Sequence, residues 1–380
     1  MEKYQFTKKD TSCAKAIAIM LMLAHHLFAF PDKLKEGVSF QNLYTFSNGQ
    51  TLEYFIGDFG KICVAMFIVL SGYGMYKSFH AANRNYTQTI IRRIKKLYLK
   101  VWQVFIVFVP IGLILHAENI STEVVDWIKN FFVLETSFNN EWWFLVQYMI
   151  IIVMLPFLFQ WLDRKKANPW TDIFYMITGN VLFYTVIVSF VSNNSYLSQF
   201  SSSYYWGKVC PALSMVPMFL MGAYIAKYQV IEKILKTLNK TVVIKMAGLF
   251  GLWVVVELRE NWQQRCQWGW DQMDCIYATL LIIVSACLLD QLKYVTKLLD
   301  FIGQHSTGIW LIHSFFCYYY CQEFIYALKN PILIWLWLLV VSLATDCLLT
   351  WLFQMAGKIC RQYICKEDTK IKAENNEKVE

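Results

Sequence analysis

The stretch WWFLVQYMIIIVMLPFLFQWL, from Trp142 to Leu162, contains no charged residue. A helix needs about 20 such residues to cross a hydrocarbon core. Ile173–Val191 and Val209–Ala226 are also uncharged, and Pro331–Ala356 carries a single charge, Asp346. Six shorter apolar runs share the pattern: Ala16–Phe30, Ile62–Tyr76, Val101–Leu115, Val242–Val256, Cys275–Leu289 and Ser306–Gln322. Lys15, Lys61, Lys100 and Lys245 stand at or near the edges of four of them, where a long side chain snorkels outward. The pattern predicts an all-α, polytopic integral membrane protein of about ten transmembrane helices.

Composition points the same way. Hydrophobic residues make up 57% of the chain, charged residues 16% and aromatic residues 17%, and the mean hydropathy is +0.37. Soluble domains average about 45–50% apolar and about 25% charged residues. The surplus of large aromatics suits a bilayer, where Trp and Tyr settle at the interfaces. The eleven cysteines lie mostly inside apolar runs without a CxxC pair. They read as small buried hydrophobes, with Cys266 and Cys275 placed so that they could pair near one loop. No metal-ligand spacing is visible.

The charges set a direction. With the N-terminus in the cytoplasm and ten spans alternating, 27 of the 35 Lys and Arg fall on the cytoplasmic side, as the positive-inside rule requires. Both termini are then cytoplasmic. The net charge of +8 faces anionic lipid and calls for no nucleic-acid partner. The first apolar run ends in His25-His26-Leu27-Phe28 and lacks the small-residue pattern of a cleaved signal peptide. Residues 1–357 form one expected membrane domain. Residues 358–380 are rich in Lys and Glu and form an expected disordered cytoplasmic tail. No internal repeat is evident.

Ionisable residues inside a span are costly and therefore candidates for function. His25 and His26 lie in the first run, His313 in the ninth and Asp346 in the tenth. Lys15 and His26 are eleven residues apart, almost three helical turns, so they share a face about 16 Å apart along the axis. An extended phosphopantetheine arm has a comparable length. His25 is rotated away by about 100°. Alone, Lys15 reads as a topological anchor, and Asp346 as half of a hydrogen bond between helices. Arg93 and Lys96, in the basic run Arg92-Arg93-Ile94-Lys95-Lys96, share a helix face. They can bind lipid headgroups or grip phosphates. Ser71-Gly72 offers small residues for close helix packing.

Taken in order, these features resemble the acyltransferase-3 family of membrane O-acyltransferases, of the bacterial surface-polysaccharide type. Lys15 through His26 is similar to the family's opening, a basic residue followed eleven positions on by His. Phe67-Ile68-Val69-Leu70-Ser71-Gly72-Tyr73 resembles its Ser-Gly-aromatic motif, Arg92–Tyr98 its basic stretch, and Trp143-Phe144-Leu145 its Trp-Phe-Leu motif. Gly303, Ser306, Leu311 and His313 resemble its late pattern.

The resemblance implies transfer of an acyl group, usually acetyl, from cytoplasmic acyl-CoA to a hydroxyl of a cell-surface glycan or its lipid-linked precursor. Acyl-CoA is then the donor substrate, no permanently bound cofactor is expected, and the setting is a bacterial plasma membrane. His26 takes the catalytic position, as general base or as transient acyl carrier. Lys15, Arg93 and Lys96 take the acyl-CoA-binding positions, with Lys at 15 and 96 where many members have Arg. His25, Ser71, Trp143 and His313 are expected around the site or at the acceptor. A transporter or exporter of a glycan or small molecule is the rival reading, since ten helices with a few buried charges fit it too.

Overall fold

The computed structural model describes residues 5–81, 85–194, 196–238, 241–265, 273–289 and 292–377. Among them the regular structure is helical, with one isolated β-bridge between Thr45 and Thr51. Helix α1, Lys8–Phe28, opens on a capping box. Thr7 Oγ1 accepts from the Asp10 amide at 3.3 Å, and Asp10 accepts from the Thr7 amide at 2.8 Å, which satisfies two amides that a helix start leaves unpaired. Helices α2 (Leu52–Gly60) and α3 (Cys63–Ala81) follow and form one continuous apolar span. Next come α4 (Tyr86–Ile114) and the short α5 (Val124–Phe131), then α6 (Phe144–Val153) and α7 (Leu155–Leu162). Helix α8 (Pro169–Leu182) runs through a π-helical turn into α9 (Ser189–Asn193). The rest are α10 (Ser198–Ser201), α11 (Tyr204–Tyr228), α12 (Val230–Leu238), α13 (Thr241–Arg265), α14 (Asp274–Leu289), α15 (Lys293–Gln304), α16 (Ser306–Ser314), α17 (Gln322–Tyr326) and α18 (Pro331–Glu377). The backbone of α18 continues as helix through the charged tail to Glu377.

Among the described residues seven helical spans are long and apolar enough to cross a membrane, or eight if α6 and α7 are one span. Two further expected spans are shorter: α14 has 16 residues, and α16 has nine before it passes into a π-helical turn, Phe315–Tyr319. The opening stretch Trp142–Leu162 is not a straight rod, because α6 and α7 meet at a bend of 54°. Pro156 sits in the first turn of α7. It has no amide hydrogen to offer the preceding turn, and its ring crowds the carbonyl there, so the helix restarts instead of continuing. Conversely, α13 runs on to Arg265, well past the end of the expected span Val242–Val256. Burial of Arg259 against Asp274 of α14, with Nε to Oδ1 at 3.0 Å, neutralises the charge. The proposed Cys266–Cys275 pairing involves Cys266, which lies outside the described residues.

Helix α1 is the hub. Its Ala14, Ala16 and Ala18 are fully buried, and it packs against α2, α3, α14, α15, α16 and α18. Small side chains permit this crowding. A Cβ on Gly303 of α15 would overlap the Ser12 carbonyl of α1. The Ser71-Gly72 motif has a similar role. A Cβ on Gly72 would overlap the Phe219 carbonyl of α11, and one on Gly222 would overlap the Val69 carbonyl of α3. Facing outward are Met246, Phe250 and Trp253 on α13 and Val340 and Trp351 on α18, all exposed. An apolar outer surface around hydrogen-bonded helices is what a bilayer demands.

Candidate active site

His25 and His26 both fall in the last turn of α1, and the rotation between them sends them to different neighbours. His25 Nδ1 donates to the Gly57 carbonyl of α2 at 2.7 Å. A carbonyl only accepts, so this nitrogen carries the proton, and His25 serves as a clamp between helices. His26 turns toward the other side, to residues from two separate stretches of the chain. Its Nδ1 lies 3.2 Å from the Tyr318 hydroxyl and 3.5 Å from Glu141 Oε2. Its ring centroid is 4.8 Å from that of His313.

The partners determine the tautomer of His26. Tyr318 donates its own hydrogen to the His26 carbonyl at 2.6 Å, so toward Nδ1 it can only accept. An ionised Glu141 has only acceptors. Both neighbours therefore favour a proton on Nδ1, which leaves the Nε2 lone pair available to take a proton. His313 follows the same rule: its Nδ1 donates to the Trp310 carbonyl at 2.7 Å. Its buried Nε2 has no hydrogen-bond partner among the described residues.

Glu141 is itself held firmly. Its other oxygen accepts from Lys33 at 3.0 Å, and Lys33 lies over the rings of Phe30 and Tyr318. The Glu141 amide donates to the Asn139 side chain at 3.1 Å, and Asn139 hydrogen-bonds Ser314 of α16. Trp310 Nε1 donates to the Glu141 carbonyl at 3.2 Å. Trp142 is fully buried and donates to the Leu311 carbonyl at 3.0 Å, whereas Trp143 is 36% exposed. Within the Trp-Trp-Phe-Leu run, the first tryptophan therefore anchors the site. Ser71 lies at the α3–α11 crossing and makes no hydrogen bond to the His26 group among the described residues.

At the other end of α1, Lys15 is half-buried and interacts electrostatically with Arg93 and Lys96 of α4. The three expected basic residues are therefore neighbours. Among the described residues no carboxylate acts on Lys15 alongside Arg93 and Lys96, and like charges gathered in this way favour a negatively charged neighbour. Further along the same face of α4, Lys100 pairs with Asp346 at 2.7 Å, and Asp346 also meets His305 Nδ1 at 2.7 Å. Gly308 makes room for this carboxylate, since a Cβ there would overlap it.

Glu141, Tyr318, Lys33 and His305 were not expected from the sequence. Glu141 stands at the edge of an uncharged run, where a charge reads as loop, and Tyr318 is one of three consecutive tyrosines. A partial signal for Glu141 was available in its position just before the Trp-Phe-Leu motif.

A helical membrane bundle with an imidazole oriented by a carboxylate at one end of a helix and a basic cluster at the other has the parts of a membrane acyltransferase. The chain belongs to the acyltransferase-3 family, described as an acyltransferase domain, whose model matches residues 11–351. Comparison with curated proteins and with solved structures gives no match.

Proposed function

We propose that the protein transfers an acyl group, in the first instance acetyl, from cytoplasmic acyl-CoA to a hydroxyl of a cell-surface glycan or its lipid-linked precursor. The observation that carries the reading is the arrangement along α1, with Lys15 beside Arg93 and Lys96 at one end and His26 beside Glu141 and Tyr318 at the other. With both termini cytoplasmic, the basic cluster faces the pool of acyl-CoA and His26 lies toward the opposite leaflet.

In this scheme Lys15, Arg93 and Lys96 hold the phosphates of the donor. The pantetheine arm runs along α1, a rise of about 16 Å between Lys15 and His26, and delivers the thioester to the imidazole. His26 Nε2 takes the proton of the acceptor hydroxyl as its oxygen attacks the acyl carbon. The new C–O bond forms, the C–S bond breaks, and the CoA thiolate leaves and is protonated. Glu141 holds the Nδ1 proton and stabilises the imidazolium that develops, as the orienting carboxylate does in a hydrolase triad. Alternatively, Nε2 attacks the thioester first and passes the acyl group to the hydroxyl in a second step.

The test is radiolabelled acetyl-CoA supplied to one side of proteoliposomes containing the protein and a crude surface-glycan acceptor. His26→Ala should abolish label incorporation, with the protein still folded and inserted. Retained incorporation would refute the assignment. Loss from His25→Ala alone, with His26→Ala active, would move catalysis to the neighbouring imidazole. Accumulation of acylated protein without acceptor, absent from His26→Ala, would select the two-step route. Passage of unmodified glycan without dependence on CoA would favour the transporter reading.

A further inference from the structure

A cleft of about 880 Å³ opens beside the His26 end of α1, and it has no part in the donor route. Phe28, in the last turn of α1, and Pro31 line it. Between these two in sequence lies Phe30, whose ring stacks on His26 with centroids 6.2 Å apart. The rest of the lining comes from the loop leading to α2 and from the first turn of α2.

That loop is a built wall. The Phe46 amide donates to the Gln50 carbonyl at 2.8 Å, and the Leu52 amide to the Tyr44 carbonyl at 2.9 Å, closing a tight hairpin around Gly49. The Gln41 amide donates to the Lys329 carbonyl at 2.9 Å, which ties the loop to the turn before α18. The Leu43 amide donates to the buried Glu53 carboxylate at 2.5 Å.

The chemistry of the lining is specific. None of the nine lining residues is charged. Asn42, Asn48, Gln50 and Thr51 contribute amides and a hydroxyl, and Phe40 and Tyr54 contribute aromatic rings. The side-chain amides of Asn42 and Gln50 have no protein partner among the described residues. Asn48 uses its oxygen on the Gln50 amide and keeps its two N–H donors. Amides donate and accept together, as sugar hydroxyls do. An aromatic ring offers an apolar face to the C–H face of a pyranose while its rim stays wet. The volume falls within the range of ordinary small-ligand sites.

We infer that this cleft is the acceptor subsite and that it takes an uncharged sugar ring, held beside the residue whose hydroxyl reaches His26. The inference rests on the acyltransfer reading and adds to it the chemical class of the acceptor. An acidic sugar would find no cation in the lining, and a bare lipid tail would strand the amides.

The experiment reads binding without acyl transfer, so the two proposals fail separately. The protein in nanodiscs is titrated with the methyl glycosides of glucose, galactose and mannose, and in parallel with methyl glucuronide, by saturation-transfer difference NMR. At least one neutral glycoside should saturate, with the glucuronide giving no saturable signal. Tyr54→Ala and Gln50→Ala should each weaken the neutral probe about fivefold to tenfold, and His26→Ala should leave it unchanged. Tyr54→Phe should bind like the wild type, because the ring carries the contact. No binding of any neutral glycoside, equal binding of the glucuronide, or binding untouched by Tyr54→Ala and Gln50→Ala would each overturn the assignment. Loss of transfer in His26→Ala together with any of those results would leave the acyltransferase reading in place and remove only the subsite.

Discussion

His26 Nδ1 faces Glu141 Oε2 at 3.5 Å, across a gap in sequence of more than a hundred residues. The other oxygen of the same carboxylate is fixed by Lys33 at 3.0 Å. Glu141→Gln keeps the shape and removes the charge. The amide can also present its N–H₂ to Nδ1, which would favour the opposite tautomer and withdraw the Nε2 lone pair from the reaction. Acyl transfer should fall by about 10²- to 10⁴-fold, the range spanned by positioned acid–base groups, while acyl-CoA binding stays unchanged. Rates and equilibrium binding measured on the same proteoliposome preparation check this. A parallel loss of both would mean that Glu141 merely holds the fold.

The basic cluster makes the reciprocal prediction. Lys15→Ala or Arg93→Ala should raise the dissociation constant of acyl-CoA about tenfold, in line with the loss of a hydrogen bond to a charged group. Raising the salt concentration should weaken wild-type binding more than that of either variant, because fewer charges remain to be screened. Lys15→Arg should bind at least as well as wild type, since the guanidinium fork suits phosphate. Dephospho-CoA compared with CoA, each titrated by calorimetry, shows whether the cluster reads the phosphates.

Gly72 and Gly222 permit the contact between α3 and α11, and each lies against a backbone carbonyl that cannot move aside. Gly222→Val should lower stability by about 1–3 kcal/mol or more, as overpacking does, seen as a lower unfolding temperature in detergent. Gly74, two residues further along α3 and so turned to its other side, has open space where a Cβ would stand. Gly74→Ala should therefore leave that temperature unchanged or raise it, since alanine is the better helix former. Equal losses at both sites would show that the crossing is not set by these glycines.

The membrane class and the first-helix geometry were legible because both depend on local pattern. Uncharged runs mark spans, and eleven residues bring Lys15 and His26 to one face whatever the rest of the chain does. The same periodicity correctly separated His25, which binds the Gly57 carbonyl. The partners of His26 were not legible. Glu141, Tyr318 and Lys33 come together only when α1, the start of α6 and the turn after α16 meet, and no spacing along the chain encodes that. The end of α13 was misjudged because charge was read as exposure. Arg259 is buried in α13 because Asp274 neutralises it. The bend in Trp142–Leu162 came from Pro156, a backbone effect to which hydropathy is blind.

Asp346 read as a hydrogen-bond partner between helices, and the structure shows it joining α18 to α4 through Lys100 and to the junction of α15 and α16 through His305. The energetics of such a group are asymmetric. A buried pair contributes little against an apolar replacement, but removing one partner strands the other. Asp346→Ala should therefore cost about 3–5 kcal/mol. Lys100→Met/Asp346→Asn should recover much of that loss, because no lone charge remains and the asparagine oxygen can still accept from His305. The coupling from the full double-mutant cycle should lie within about 0.5–3 kcal/mol, measured by denaturant or thermal unfolding in one detergent. If the double variant recovers stability but not transfer, Lys100 serves the donor as well as the fold, continuing the basic face of Arg93 and Lys96 toward the pantetheine arm. If it recovers both, the triad only joins the helices.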